Sequence, residues 1–450
     1  MSIFNTARFA LAAWLGLAAS SALAQAVHPD GAAAPLVVTP IFSFSGGNDG
    51  SMPASELAVD SDGALYGTTV AGGAYNDGVV FKLTPPAAGS NNWTETVLYS
   101  FLGGSNGLNP MFTPTIDSRG VIYGATQYGG ANDNSGAAFQ LTPPIPPSTQ
   151  WTGTKIFDFS YASTGANPKG GFVIDSSGAL YGTTSTGGPQ GKGTVYKLTP
   201  PTPPATQWTG AALYSFSGGA DGGNPGRTLV IDSSGALYGG TASGGASGSG
   251  VVFKLIPPGG NCTPTAPNLW CETVLADGIG SLSGGVVMDS HGALYGAAQG
   301  GGAYSHGQLF KLTPPVPPAT QWTLATLYSF TGGADGANPT RAPILVGGVL
   351  YGTTSLMGNC IYCGAIYELT PPVPPSTQWT ETTLWSFATP HGPFPSGLSL
   401  APSNFGLGIA INGAVQMGGG AGGYGEIFTL RCPPRGRQVF GGAMRTACAL

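Results

Sequence analysis

Charged side chains make up only 8% of this 450-residue chain. The few that share one place in its pattern are therefore where chemistry is sought first. Arg227 and Arg341 occupy equivalent positions of a recurring unit, and Lys169 and Glu56 lie one position away on either side. Paired guanidinium groups can hold a carboxylate or a sugar acid through bidentate hydrogen bonds. The plainer reading is that these charges solvate a channel entrance. His306 and the loop tyrosines Tyr75, Tyr128, Tyr304 and Tyr424 complete the candidate ligand-binding set. Tyrosine rings offer stacking surfaces to a glycan. In an enzyme acting on uronic acids, the arginines would neutralise the carboxylate, and His306 or a tyrosine would take the proton.

Other chemistries find less support. His28 lies in an N-terminal leader, His291 stands in a turn where Ser is usual, and His391 joins His306 in the loops. A metal site needs three or four converging ligands, and none can be assembled, so no metal and no cofactor are expected. No Ser-His-Asp order or nucleophile elbow stands out. A glycosidase needs two carboxyl groups about 5 to 10 Å apart. Glu56, Asp77 and Asp133 are the non-repeat acids in these loops. The six cysteines form three local pairs, Cys262 with Cys271, Cys360 with Cys363, and Cys432 with Cys448. In an exported chain such pairs read as disulfides. The Cys360-Ile361-Tyr362-Cys363 spacing lacks the second pair that zinc would want.

Export is read from the N-terminus. Arg8, the apolar run Phe9 to Leu17, and Ala22-Leu23-Ala24 before Gln25 are the parts of a secretory signal peptide. Cleavage is expected after Ala24. No later segment offers the roughly 20 apolar residues of a spanning helix. The net charge of −5 gives no basic surface for nucleic acid. With 76 Gly and 39 Pro, but 41% hydrophobic residues, the chain reads as many short strands joined by tight turns. A monomer is expected.

The elements that must position the candidate residues follow from a repeat. The phrase ALYG or a variant recurs at Tyr66, Tyr123, Tyr181, Tyr238, Tyr295 and Tyr351, about 57 residues apart. Each unit has four strand-like parts. An apolar stretch ends in Asp-Ser-x-Gly, as in Leu229 to Gly235. ALYGTT follows, as in Ala179 to Thr184. Next come Gly-x-Val-Phe-Lys-Leu-Thr-Pro-Pro, as in Gly78 to Pro86, and Trp-Thr-x-x-x-Leu-Tyr-Ser-Phe, as in Trp93 to Phe101. Four strands are the content of one propeller blade; solenoid rungs are usually shorter. In this order they run from the inner to the outer edge. Asp60, Asp117, Asp175, Asp232 and Asp289 then cap the turns between the first two strands. Runs such as Thr142 to Trp151 read as stiff extended connections.

A seventh, degenerate unit runs through Leu398 to Leu400, Gly408 to Ile411 and Gly425 to Leu430, without a fourth strand. Val37 to Phe44 looks like that missing strand. The expected fold is an all-β, seven-bladed β-propeller of four-stranded blades, closed by the N-terminal strand in the last blade. Residues 1–24 are the signal peptide, 25–36 a leader, 37–431 the propeller and 432–450 a tail.

The ALYGTT…GG…G-x-VFKLTPP unit resembles the GloVer (Gloeo/Verruco) tandem repeat of bacterial extracellular proteins over residues 55–375, with a weaker seventh copy. The resemblance implies secretion and often a C-terminal sorting signal, but no established enzymatic activity. The basic tail from Arg431 to Leu450 departs from it, having no apolar anchor. The expected function is a non-catalytic binding or scaffold propeller for extracellular glycan or protein. The alternative is an extracellular polysaccharide-active enzyme, a lyase or glycoside hydrolase, with its site at the propeller mouth.

Overall fold

The structure is a computed structural model describing residues 37–87, 90–259, 270–356, 364–387, 395–402, 409–418 and 422–431. The proposed signal peptide, leader and tail lie outside these residues. So do His28, His391, Cys262, Cys360, Cys363, Cys432 and Cys448. Cys271 is described, is buried and is not free.

Every described blade is an antiparallel meander, and no α-helix occurs among the described residues. The third blade is the most regular. Ala166–Ile174 pairs with Leu180–Thr186, which pairs with Thr194–Thr199, which pairs with Thr209–Ser215. Seven such sheets form a ring, each running from inner to outer strand in chain order. The exception is the last, where Pro395–Pro402, Ile409–Val415 and Glu426–Arg431 are completed by Val37–Ser43. Register there runs from Val38 opposite Leu430 to Ser43 opposite Glu426, with a bulge after Pro40. Comparable bulges interrupt the outer pair of other blades, for example between Val80 and Phe81. The Phe44 N–H donates to the Gly425 carbonyl as the Phe101 N–H does to that of Gly78. The N-terminal strand thus takes the register of the covalently connected fourth strand of the other blades, and the ring closes through it.

The repeated letters have specific packing reasons. In the first blade the Phe81 ring lies across Gly67, where a Cβ would come within 2.5 Å of its Cζ. The same ring-over-glycine contact recurs in the fourth blade between Phe253 and Gly239. These rings are wholly buried, and each full burial of a Phe is worth about 1.5–3 kcal/mol. The Tyr of ALYG has a polar task. The Tyr181 hydroxyl donates to Asp175 Oδ2 at 2.9 Å, while Asp175 Oδ1 accepts the N–H groups of Ser177 and Ala179. Lys197, opposite Tyr181, holds its Nζ 5.3 Å from the ring centroid. On the other side Trp270 of the next blade packs edge-on to Tyr181 at 6.1 Å. One tyrosine therefore joins a turn, the third strand and the neighbouring blade.

Departures from this arrangement compensate one another. In the second blade Gln140 replaces the lysine, and Arg119 in the turn supplies the cation, bonding both Asp117 and the Tyr123 hydroxyl. In the sixth, Val346 replaces the aspartate and Glu368 replaces the lysine. Glu368 then hydrogen-bonds the Tyr351 hydroxyl. That blade's turn is a two-residue hairpin, with Gly347 and Gly348 at φ +56 and +88, which suits a type I′ turn and needs no aspartate cap. In the seventh, Asn412 faces Thr429 in place of the pair.

One expectation is corrected. The proline-rich connections are reversals rather than extended rods: Ser148, Ala205, Ala319 and Ser376 donate their N–H groups to the carbonyls of Ile145, Thr202, Val316 and Val373. Strands three and four pair antiparallel, so their connection must double back within one strand spacing. The innermost strand also differs from a single apolar run, being split in three blades.

Removing residues 37–44 should lower the melting temperature of the whole ring in one cooperative transition, whereas removing residues 25–34 should not; circular dichroism melts of the two deletions compare them. For the sixth blade, a double-mutant cycle of Tyr351→Phe and Glu368→Ala should give a coupling of about 1 kcal/mol, the net worth of one hydrogen bond. A coupling near zero in denaturant titrations would show that Glu368 does not replace the missing aspartate.

Candidate functional site

The axis is built where the innermost strands leave their partners. Ser51–Pro53 and Ala58–Val59 flank one such break, Gly223–Pro225 and Val230–Ile231 a second, Ala337–Pro339 and Ile344–Val346 a third. In the third blade the strand is continuous but bulged between Lys169 and Val173. Freed backbone groups at these breaks must be satisfied elsewhere, and they bond to neighbouring blades. Thr68 donates its hydroxyl to the Phe112 carbonyl, Thr115 to that of Phe172, and Thr183 to that of Gly226. The Arg227 N–H donates to the Ser283 carbonyl, and Ser396 donates its hydroxyl to that of Ser55.

These breaks surround a cavity of about 160 Å³ lined by residues that include Glu56, Phe112, Thr113, Arg227, Leu229 and Arg341. Three of the four charges singled out in the sequence thus meet there. Arg341 Nη2 donates to the Ala54 carbonyl at 2.8 Å, reaching past the seventh blade to the first. The Arg227 guanidinium stands 5.3 Å from the centroid of the Phe112 ring, and its Nη1 is buried without a hydrogen-bond partner among the described residues. Glu56 hydrogen-bonds Thr113. Among the described residues the ion pairs are Lys82–Asp60, Arg119–Asp117 and Lys155–Asp158, so Glu56 makes no direct pair with either arginine.

Electrostatics follow from that arrangement. The positive charge of Arg341, then burial, pulls Arg227 down to about 9, with Glu56 opposing. Burial also lowers Arg341, and Glu56 works against the shift. Glu56 is raised by burial despite the arginines and Thr113. Lys169 stands beside the site rather than in it. Its Nζ donates to Asn224 Oδ1 at 2.7 Å, and burial followed by repulsion from Arg227 draws it to about 8.

Space at the axis is rationed by glycine. A Cβ on Gly170, whose φ is +74, would collide with the Arg227 carbonyl. One on Gly284 would meet Arg341 Cα at 2.7 Å, and one on Gly397 would meet Glu56 Cγ at 2.5 Å. Glycine thus lets adjacent blades approach the Arg227 and Arg341 backbone closely, and beside Glu56 it leaves space for the side chain itself. Thr113 and Thr115, which position Glu56 and Phe172, were not singled out in the sequence; no departure from the repeat marks them.

The remaining candidates do not converge on the cavity. His306 is exposed on the rim, where its ring covers Gly332 and its carbonyl accepts the Asn338 N–H. Asp77, Lys192 and Tyr424 likewise cover Gly103, Gly218 and Gly46, so His306 occupies a variable structural position. Tyr75 and Tyr304 are each 58% exposed and Tyr424 44%. Tyr128 is partly buried and pairs its backbone with Leu108. Asp133 adopts φ +50 in an exposed turn. Among the described residues no group of three or more His, Cys, Asp or Glu could hold a metal ion.

The model of the Gloeobacter/Verrucomicrobia repeat matches residues 29–159 and 134–367. No curated protein matches the chain. Several solved structures resemble it. PorZ, a surface component of the type-IX secretion system of Porphyromonas gingivalis, is 15% identical over 83% of this chain and 46% of its own, with a TM-score of 0.45. An ulvan lyase, a polysaccharide lyase, is 11% identical over 85% and 94%, at 0.43. A Trypanosoma rangeli sialidase is 9% identical over 89% and 59%, at 0.38. Likeness at these levels carries nothing about activity.

Outside the axis, burial pushes Glu95, Glu272, Glu381 and Glu426 up to about 7, and Asp49, Asp221 and Asp335 add repulsion to the first three in turn. A carboxyl whose folded pKa lies above its unfolded value stabilises the fold at low pH and loses that contribution as pH rises through the folded value. Thermal stability should therefore decline between pH 5 and pH 8 at constant ionic strength, and Glu272→Gln should flatten the decline. A melting temperature that rises over this interval would contradict the assignment.

Proposed function

Because this chain belongs to the Gloeobacter/Verrucomicrobia repeat family, whose repeat here builds blade after blade on one plan, we propose that it is a secreted, non-catalytic binding or scaffold propeller that meets extracellular glycan or protein at its axis. The observation carrying this reading is the meeting of Arg227, Arg341 and Glu56, from three different blades, on one cavity. Repeat architecture does not call for charges there, since the matching positions elsewhere hold Ser55, Gly170 and Gly284. Export is supported by Arg8, the run Phe9 to Leu17 and the Ala22-Leu23-Ala24 site.

Several loop carboxylates are already engaged in the fold. Asp49, Asp221 and Asp335 each accept a hydrogen bond from the backbone N–H and the hydroxyl of a residue four positions earlier. His306, which alongside the tyrosines could serve as the base of a uronate lyase, is exposed on the rim. The aromatic surfaces of Tyr75 and Tyr304 stand in different blades rather than forming one stacking platform.

The test pairs binding with turnover. Purified protein is titrated calorimetrically with acidic and neutral oligosaccharides and incubated with acidic polysaccharides. Binding with no product by chromatography is expected. Catalytic release of shorter or unsaturated products would overturn the non-catalytic reading.

A further inference from the structure

The axial cavity holds a charge imbalance that the protein does not resolve by itself. Arg341 uses Nη2 on the Ala54 carbonyl. Arg227 leaves Nη1 buried and unpartnered. Glu56, bonded to Thr113, makes no direct ion pair with either arginine. Lys169 adds a third positive charge close enough to act on Arg227. With Glu56 ionised the group carries two net positive charges, and with Glu56 protonated it carries three. A buried guanidinium N–H left without an acceptor is costly unless a partner or bound anion meets it.

We propose that the axial cavity is a binding site for the carboxylate of a small monoanionic organic acid, received between Arg227 and Arg341. This rests on the binding reading above and deepens it by naming the ligand class. The planar guanidinium matches a carboxylate in two parallel hydrogen bonds, a fit a lysine cannot offer. Phe112 beneath Arg227 limits where its fork can turn. Phe172, Val173 and Leu229 line the same space and suit a carbon body attached to the carboxylate. That apolar wall, which inorganic phosphate could not use, favours an organic acid over phosphate. A cavity of about 160 Å³ exceeds one water, whose share of the liquid is about 30 Å³, so it admits more than an isolated ion. The carboxylate could arrive on a free acid or on the uronate end of a glycan chain, and the two share this chemistry.

Calorimetric titration of the full chain at pH 7 tests it with five probes: acetate, glucuronate, its neutral amide glucuronamide, inorganic phosphate, and a short oligogalacturonide. Glucuronate is expected to bind at least tenfold more tightly than glucuronamide and than phosphate. A comparable or tighter affinity for the oligogalacturonide assigns the site to a chain end, and binding of acetate and glucuronate without it assigns a free acid. Arg227→Gln should weaken glucuronate at least tenfold while leaving the circular dichroism spectrum unchanged. The comparison of glucuronate with its amide uses wild-type protein alone, so it decides the matter even if the variant misfolds. Equal binding of acid and amide, tighter phosphate, or unchanged affinity in a folded Arg227→Gln overturns the inference. Absence of all carboxylate binding alongside capture of a neutral glycan or a protein overturns it too, while sparing the broader binding reading. Turnover of a probe would instead strike at that reading.

Discussion

Seven innermost strands converge on one axis, and at several points their backbones approach too closely for a side chain to stand between them. That crowding decides most of what the centre of the molecule is. Close-packed interiors allow bulk at one place only if space is left beside it. Here the balance is struck between neighbouring blades. Gly170 lies against the Arg227 backbone, Gly284 against Arg341, and Gly397 against Glu56. Gly171 lies against the Thr113 carbonyl in the same way. Conversion of any of these glycines to a residue with a Cβ would displace the very residues that line the cavity. The charged site is therefore a property of pairs of blades. Its strands come together because the adjoining repeat gives up a side chain, and at Gly397 that loss also leaves room for Glu56.

At the periphery the constraint is different, because space opens between the blades and must be filled. Tyrosine fills it while keeping its hydroxyl satisfied, as buried polar groups require. Tyr181, bonded to Asp175, faced by Lys197 and flanked by Trp270, shows the full arrangement. What is kept across blades is a hydroxyl acceptor near the ring, rather than any one residue type. Arg119 in the second blade and Glu368 in the sixth make this plain, since each moves a charge to a different element while preserving the Tyr bond or the local cation. The seventh blade gives up the arrangement. Asn412 replaces the tyrosine, and its amide atoms and Thr429 Oγ1 are buried without partners among the described residues. That blade is also the one whose outer strand comes from the distant N-terminal part of the chain.

This division explains what could be read from the sequence and what could not. Strand order, the number of blades and the role of Val37 to Ser43 were legible because a blade is a local unit with a fixed phrase, and a missing phrase is visible. The convergence of Arg227, Arg341 and Glu56 was legible because a departure from a repeat can be aligned to a common place. Lys169 stands at the edge of that group: Gly170 lines the cavity beside it, while its own amine reaches Asn224. His306 stands apart from the cavity, at a position that Asp77, Lys192 and Tyr424 fill in other blades, each covering the glycine of the next loop. The Asp175–Tyr181 bond joins residues six apart across a turn and leaves no mark beyond the repeat itself. Trp270 meets Tyr181 only because separate blades are pressed together. Contacts of that kind follow from ring geometry, which no single repeat encodes.

The ring is held shut at two radii by unlike means. At the outer edge Val37–Ser43 supplies a ladder of backbone hydrogen bonds to Glu426–Arg431. At the inner edge the seventh blade presents Ser396 and Gly397, small enough for Arg341 of the sixth blade to reach Ala54 of the first and for Glu56 to fill the gap. The cavity is lined by the first, second, third, fourth and sixth blades, and of its lining residues Arg341 is the one that also spans the seam, through its bond to Ala54. A side chain that spans a seam feels any change in its width, and a ligand seated against Arg341 would bind the closed ring better than an opened one. By linkage such a ligand stabilises closure in proportion to that difference in affinity. Binding at the axis and closure of the ring are in this way linked through Arg341, which lines the cavity and also bonds the first blade across the seventh.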